Sequence, residues 1–186
     1  MSLRLVEDDH LLLMKVGFHG QESLDAILER KLIEQTFCGH CYWGYGGTLC
    51  HPVKAVRPFA VQVKEARRRV RVAFVVTQSP FQAENPKPAT ECSLDGQSWF
   101  AMEKGASVYA SRAALVLSSL QQTEISLDLS CYHVGIGPST GKPAAEYFRY
   151  RVDKALLTRS EPCIERKLVP ISFLAELVEP YAILVR

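Results

Sequence analysis

The residue types best suited to chemistry are concentrated between residues 38 and 52. This stretch holds three of the six cysteines, two of the five histidines, one of the two tryptophans and four glycines. Thiols and imidazoles ligate metals and act in catalysis, aromatic rings stack on bases, and glycines let a backbone approach a ligand closely. The stretch therefore predicts a functional site, for which three kinds of chemistry are open.

The first kind is a zinc site. Cys38 and Cys41 have the CxxC spacing of a zinc knuckle, and Cys50 with His51 would complete a tetrahedral ligand set. The second pair is adjacent in sequence, and adjacent side chains often point apart, which weakens the pattern. The structural alternative is a set of small, half-buried thiols in a packed loop.

The second kind is a cysteine-dependent enzyme. Cys50 precedes a helix that Pro52 is expected to open, and the positive end of a helix lowers the pKa of a thiol. His51 is the nearest candidate base in sequence, although adjacency alone does not give catalytic geometry.

The third kind is a binding loop for a phosphate-bearing ligand. Its rings would stack on a base, its glycine backbone would approach the ligand, and the following helix N-terminus would attract a phosphate. The alternative is a tight turn whose rings pack against the core. The binding residues under this interpretation are Tyr42, Trp43, Gly44, Tyr45, Gly46 and Gly47.

Two other segments are candidate anion contacts. A glycine-rich turn, residues 135–142, lies between a predicted strand and a predicted helix, but its letters match neither the Walker nor the dinucleotide fingerprint. It is kept as an anion-binding nest. A basic run at a helix-to-strand junction is typical of a phosphate-binding surface or of a solvated helix end. The residues concerned are Gly137, Ser139, Thr140 and Lys142 in the turn and Arg67, Arg68, Arg69 and Arg71 in the run.

Composition limits the class of protein. The chain has 186 residues, so we expect one domain spanning 1–186. The net charge of +2 is too small to indicate nucleic-acid binding by itself. No apolar run approaches the roughly 20 residues of a membrane span, and the N-terminus lacks a signal-peptide pattern. Six cysteines are too sparse for a disulfide scaffold, which favours a cytoplasmic location.

The periodicity of apolar residues predicts the elements that position these residues. Strands are expected at 11–18, 70–77, 124–134 and 181–185, and a helix is expected from Ser23 to about Phe37. Further helices are expected after Pro52, after Pro143 and near Leu174 to Leu177. An irregular loop is expected over about 78–98. The fold class is α/β or α+β, with a mixed β-sheet and flanking helices.

Together these patterns predict an intracellular protein that binds a nucleotide or nucleic acid through the glycine-aromatic loop and the basic clusters. Two alternatives remain. One is an enzyme that uses Cys50 with a histidine base. The other is a protein-interaction subunit of a larger assembly, with a small zinc knuckle or the aromatic loop as its docking surface.

Overall fold

The computed structural model describes residues 4–5, 9–19, 22–47, 50–77, 87–149, 152–161 and 166–186. Within them, nine strands form one mixed sheet with helices packed against it, which confirms the predicted fold class in its α+β form. The strands are β1 (His10–Val16), β2 (Cys41–Gly44), β3 (Val70–Val76), β4 (Glu91–Ser93), β5 (Phe100–Ala101), β6 (Ala113–Asp128), β7 (Tyr132–Val134), β8 (Lys154–Arg159) and β9 (Leu168–Val185). The helices are α1 (Leu24–Cys38), α2 (Arg57–Glu65) and α3 (Ala144–Tyr147), and a short π-helix (Pro52–Val56) leads into α2.

Helix α1 begins and ends where the sequence predicts. The Ser23 side chain accepts a hydrogen bond from the Ala26 N–H at 3.2 Å, which satisfies one of the unpaired donors of the first turn. Gly39 ends the helix in the left-handed region, with φ of 77°. In the described part of the chain, no helix is long and apolar enough to cross a membrane.

The centre of the sheet is a parallel pair. Strand β1 pairs with β3 from His10 opposite Val70 to Val16 opposite Val76. The connection between them passes through α1, β2 and α2, and it returns the chain to the same end of the sheet. Both strands therefore finish at one edge, where the Thr77 N–H donates to the Val16 carbonyl at 2.7 Å.

Each face of this central pair is buried. Alternate residues of β1 and β3 pack beneath α1, the π-helix and α2 on one face, where Phe74 contacts Trp43 and Phe59 is 2% exposed. The intervening residues, including Leu11 and Leu13, pack against the segment around β7 and α3 on the other face. Burial on both faces explains why these strands are continuous apolar runs in the sequence.

Four predicted elements differ from the structure. The strand expected at 124–134 is divided between β6 and β7 by a 3-10 turn at Leu129–Cys131. The helix expected after Pro143 is confined to α3, and Leu156 lies in strand β8. The helix expected near Leu174 lies inside β9, because pairing with β3 and β6 on either side outweighs the local preference of leucine and glutamate. Part of the expected loop, residues 91–93, is strand β4, and residues 78–86 lie outside the described residues.

A buried charge cluster lies on the face of the sheet opposite α1. Arg71, on β3, donates to Asp9 at 3.2 Å and to Glu176 on β9 at 2.6 Å. The Arg71 and Asp9 side chains are 6% and 3% exposed, so their pairing offsets part of the cost of burying both charges. Arg71 therefore contributes to the packing of the fold.

Replacing Arg71 with Ala should destabilise the protein by about 3–5 kcal/mol, because the carboxylates of Asp9 and Glu176 would both lose the buried guanidinium between them. The matched control is Arg69→Ala, two residues away, where the side chain is 64% exposed. That control should change the free energy of unfolding by less than about 0.5 kcal/mol. Urea unfolding followed by circular dichroism measures both, and equal effects would contradict a structural role for Arg71.

Candidate functional site

A cavity of about 450 Å³ opens where the parallel strands β1 and β3 end. Its lining comes from the end of β1 and the following residues, from Thr77 after β3, from α1, and from segments 43–47, 107–109 and 153–154. A crevice beyond the carboxyl ends of parallel strands is a common ligand site, because the chain diverges there and leaves space. Its volume lies in the range of small-molecule sites.

The cavity has a positive lining. Arg30, Lys31 and Lys154 line it together with the carboxylates of Glu22 and Asp153. Lys15 also belongs to the lining, but its Nζ lies 4.8 Å from the centre of the Phe148 ring, on the other face of the sheet. Its floor is apolar and includes Met14, Val16, Ile27, Trp43 and Val108. An apolar floor with convergent cations suits a ligand that has a ring or hydrocarbon body and an anionic group.

The α1 side of the cavity is held by a hydrogen-bonded network around Ser107. Lys31 Nζ donates to Glu34 Oε2 at 2.7 Å and to the Ser107 carbonyl, and Ser107 Oγ donates to the same Glu34 oxygen at 3.2 Å. The side chains of Lys31 and Glu34 are 3% and 1% exposed. Burial lowers the pKa of Lys31, although Glu34 opposes the shift. The network fixes segment 107–109 against α1.

The opposite side of the cavity carries Lys154. Its Nζ donates to the Gly46 carbonyl at 2.6 Å and lies 4.7 Å from the centre of the Tyr45 ring. Burial lowers its pKa, and the nearby Asp153 opposes that shift. Burial also lowers the pKa of His19, so this imidazole is less readily protonated than an exposed histidine. An anionic ligand beside Lys154 would favour the charged form of this lysine.

The predicted glycine-aromatic loop contributes part of this cavity. Trp43, Gly44, Gly46 and Gly47 line it, while Tyr42 and Tyr45 are absent from the lining. Trp43 is 7% exposed and its ring centre lies 4.6 Å from that of Phe74, so most of the indole is committed to the core. Gly47 has φ of +87°, and a Cβ at Gly44 would lie 2.7 Å from Ser111 Oγ. These two glycines are thus required by the backbone and by packing.

The rings of this stretch are not arranged as an exposed stacking or docking surface. Tyr45 is 2% exposed and its hydroxyl donates to the Cys50 carbonyl. Tyr42 is half-buried, and its hydroxyl donates to Glu103 at 3.2 Å. Large exposed apolar side chains lie elsewhere, on α1, at Ile33 and Phe37.

The predicted metal ligands are separated. Cys38 is at the end of α1 near the Lys104 carbonyl, Cys41 is buried in β2, and Cys50 contacts the Lys154 carbonyl at 3.7 Å. His51 precedes the π-helix. No group of three or more His, Cys, Asp or Glu side chains in the described ranges is arranged to hold a metal ion. The zinc prediction gains no support from this geometry.

Cys50 lacks the features of an activated nucleophile. Burial raises the pKa of its thiol, while the backbone of Leu156 and the charge of Lys154 only partly offset that effect. The expected lowering by the helix N-terminus is therefore outweighed. The sulfur makes its hydrogen bond to a backbone carbonyl, that of Lys154.

The other two segments predicted to contact anions lie apart from the cavity lining. In the turn 135–142, the N–H groups of Thr140, Gly141 and Lys142 donate to carbonyls of Gly137, Val134 and Ser139. These three N–H groups are thus committed to the turn itself. In the basic run, Arg71 is buried, and Arg67, Arg68 and Arg69 are exposed beyond the end of α2.

Several cavity residues were missed by the sequence interpretation. His19 follows the first apolar strand, and the sequence already makes it a possible base, but nothing in the sequence indicates that it lines a cavity. Arg30 and Lys31 looked like the solvated face of an amphipathic helix. Ser107 and Tyr109 carried no local signal, since they join the cavity only through tertiary structure. Lys154 belongs in the sequence to a thin basic cluster with Arg149 and Arg151, which gave no indication of a cavity.

Comparisons of the chain with protein-family models, curated proteins and solved structures found no match. The cavity's own geometry and charge are therefore the observations that bear on function. Among these, the position at the ends of the parallel strands and the excess of cationic side chains are the most informative.

Cys50 in the folded protein should react with iodoacetamide at neutral pH more slowly than free cysteine does, because burial raises the pKa of its thiol. Peptide mass spectrometry after timed alkylation measures the rate at this position. The same protein in denaturant is the control, and there the reaction should speed up. Faster labelling of Cys50 in the native protein than of free cysteine would restore the nucleophile hypothesis.

Proposed function

We propose that this chain is an intracellular protein that binds a phosphate-bearing small molecule, a nucleotide in the first instance, in the cavity at the ends of β1 and β3. The observation that carries the proposal is the placement of Arg30 and Lys154 beside an apolar lining, at the end of the parallel strand pair. Phosphate groups are bound in proteins by such cations together with backbone N–H groups.

The size of the cavity favours a nucleotide over a nucleic-acid strand. A volume of about 450 Å³ encloses a single small ligand. Proteins that bind single strands instead use extended grooves with exposed rings for successive bases. Here the rings of Trp43 and Tyr45 are 7% and 2% exposed. A base would meet the edge of Trp43 as part of the cavity floor.

The thiols support an intracellular location. Cys38, Cys41, Cys50, Cys92 and Cys131 are all free cysteines. Free thiols of this kind are typical of a reducing compartment. This agrees with the cytoplasmic location expected from cysteine usage.

Replacing Lys154 with Met should weaken the binding of a 5′-nucleoside monophosphate by about 1.5–3 kcal/mol, or roughly 10- to 100-fold in Kd, because one charged hydrogen bond is lost. Isothermal titration with the four common monophosphates measures this, with the matching nucleosides as uncharged ligands. The control is Lys142→Met, which removes an equal charge from the exposed turn outside the cavity.

The two variants distinguish the two predicted anion sites. Loss of affinity in Lys154→Met with normal binding by Lys142→Met supports the cavity. The reverse pattern would move the site to the turn 135–142. Absence of monophosphate binding by the wild-type protein would contradict the proposed function. Trp43→Ala is a poor test, since removing a core indole typically costs about 3–5 kcal/mol of stability.

Affinity for the monophosphate should also depend on pH. Burial lowers the pKa of Lys154, so its charge is present at low pH and is lost as pH rises through that lowered value. Binding should therefore weaken at a lower pH than an ordinary lysine would allow. Lys154→Arg should keep its affinity over this range, because a guanidinium stays protonated. Identical pH profiles for the wild type and this variant would contradict a role for the Lys154 charge.

A further inference from the structure

We propose that the ligand's phosphate binds the Nε and Nη2 edge of Arg30, and that Glu22 occupies this edge in the free protein. The inference rests on the proposed function and identifies one phosphate-binding position within the cavity, called the Arg30 site below. Glu22 would compete with the ligand for Arg30, because its two carboxylate oxygens occupy the positions that two phosphate oxygens would take.

The Arg30–Glu22 pair has the geometry of oxyanion recognition. Arg30 Nε donates to Glu22 Oε1 at 3.2 Å, and Nη2 donates to Glu22 Oε2 at 2.7 Å. This is the two-point fork by which a guanidinium binds either a carboxylate or a phosphate. Both side chains line the cavity, so a phosphate entering it would reach the same edge.

Arg30 is positioned independently of Glu22. Its Nη1 donates to the Ser107 carbonyl at 2.8 Å and to Ser107 Oγ at 2.9 Å. Its guanidinium carbon lies 4.6 Å from the centre of the Tyr109 ring. If the Glu22 carboxylate moves away, these contacts keep the guanidinium in place with its fork edge directed to the ligand. Because Arg30 is already ordered, little conformational entropy would be lost when it binds a phosphate.

Burial separates this pair from the other ion pairs around it. The side chains of Arg30 and Glu22 are 22% and 30% exposed, whereas those of Lys31 and Glu34 are 3% and 1% exposed. Removing a carboxylate from a sealed pair would strand a buried charge, but a partly hydrated pair exchanges partners at small cost. Of the two neighbouring cations, Arg30 is therefore the one able to exchange its carboxylate for a ligand.

The backbone of Glu22 is held by hydrogen bonds with His19 that do not involve its side chain. The Glu22 N–H donates to the His19 carbonyl at 3.0 Å, and the His19 N–H donates to the Glu22 carbonyl at 3.1 Å. Residues 23 onward are the cap and first turn of α1. Rotation of the side chain alone would release the guanidinium, and no strand or helix has to move.

The test uses inorganic phosphate and the monophosphate that binds the wild type, titrated into wild type, Glu22→Gln, Arg30→Lys and the double variant. Glu22→Gln should bind inorganic phosphate about tenfold more tightly, since a neutral amide competes less well than a carboxylate. The double variant should lose this gain, because lysine keeps the charge but not the fork. Asp25→Asn is the matched control. It removes the same charge from the exposed first turn of α1, and it should not tighten binding.

Each outcome decides one question. The Arg30 site is supported if Glu22→Gln binds phosphate more tightly and the added Arg30→Lys change abolishes this gain. The affinity of Asp25→Asn should then equal that of the wild type. Equal affinities of Glu22→Gln and wild type overturn the Arg30 site, and so does an equal gain in Asp25→Asn, which would indicate a general charge effect. If the monophosphate binds the wild type while Glu22→Gln brings no gain, this inference fails and the proposed function stands. If no monophosphate binds any variant, the proposed function fails, and the titration with inorganic phosphate alone decides whether the Arg30 site exists.

Discussion

The parallel pairing of β1 with β3 is the constraint on which the other features depend. The two strands must end at the same edge of the sheet, and the crossover between them carries α1 and α2 on one face, with β2 joining the sheet beside β6. The chain leaves the sheet at that edge in two places, at Gly17 and at Thr77, and the space between becomes the cavity. A purely antiparallel arrangement would have brought a strand start to this edge in place of one of these ends.

Charged side chains position segment 107–109, which the pairing of β1 with β3 does not determine. Segment 107–109 lies in the connection between β5 and β6, where the Ala89 N–H donates to the Val108 carbonyl at 2.8 Å and Tyr109 forms a single bridge with Pro88. This short pairing leaves the side of the segment that faces α1 to be positioned by side chains. Lys31, Glu34 and Ser107 supply that positioning through hydrogen bonds made almost entirely out of water. Buried ion pairs of this kind add little net stability, but an alternative loop position would strand their charges. The network therefore selects one geometry for that side of the cavity.

The sequence was informative where a local pattern determines local structure. The caps of α1, at Ser23 and Gly39, and the apolar runs of β1 and β3 predicted these elements and the mixed sheet. It was misleading where the sheet decides, as in β9, whose Leu174 and Leu177 have helical spacing but lie between two neighbouring strands. Proline and glycine spacing gave no sign that 154–159 is a strand, because β8 is defined by its pairing with β1 and β7.

The same distinction explains how the site was predicted. The stretch 38–52 stood out by composition, and four of its residues do line the cavity. Its aromatic residues Trp43 and Tyr45 are buried in the core, and Gly44 lies too close to Ser111 for a side chain. These residue types are therefore explained mainly by packing. The charges come from distant positions in the sequence.

Arg30 and Lys31 show why spacing alone could not assign these roles. They are adjacent on α1 and both reach Ser107, yet one residue of helix rotates a side chain by about 100°. That rotation turns Lys31 into the core beside Glu34 and leaves Arg30 at the cavity rim beside Glu22. Identical charge thus serves structure in one residue and remains accessible in the next, and the difference follows from burial, which is a property of the assembled fold.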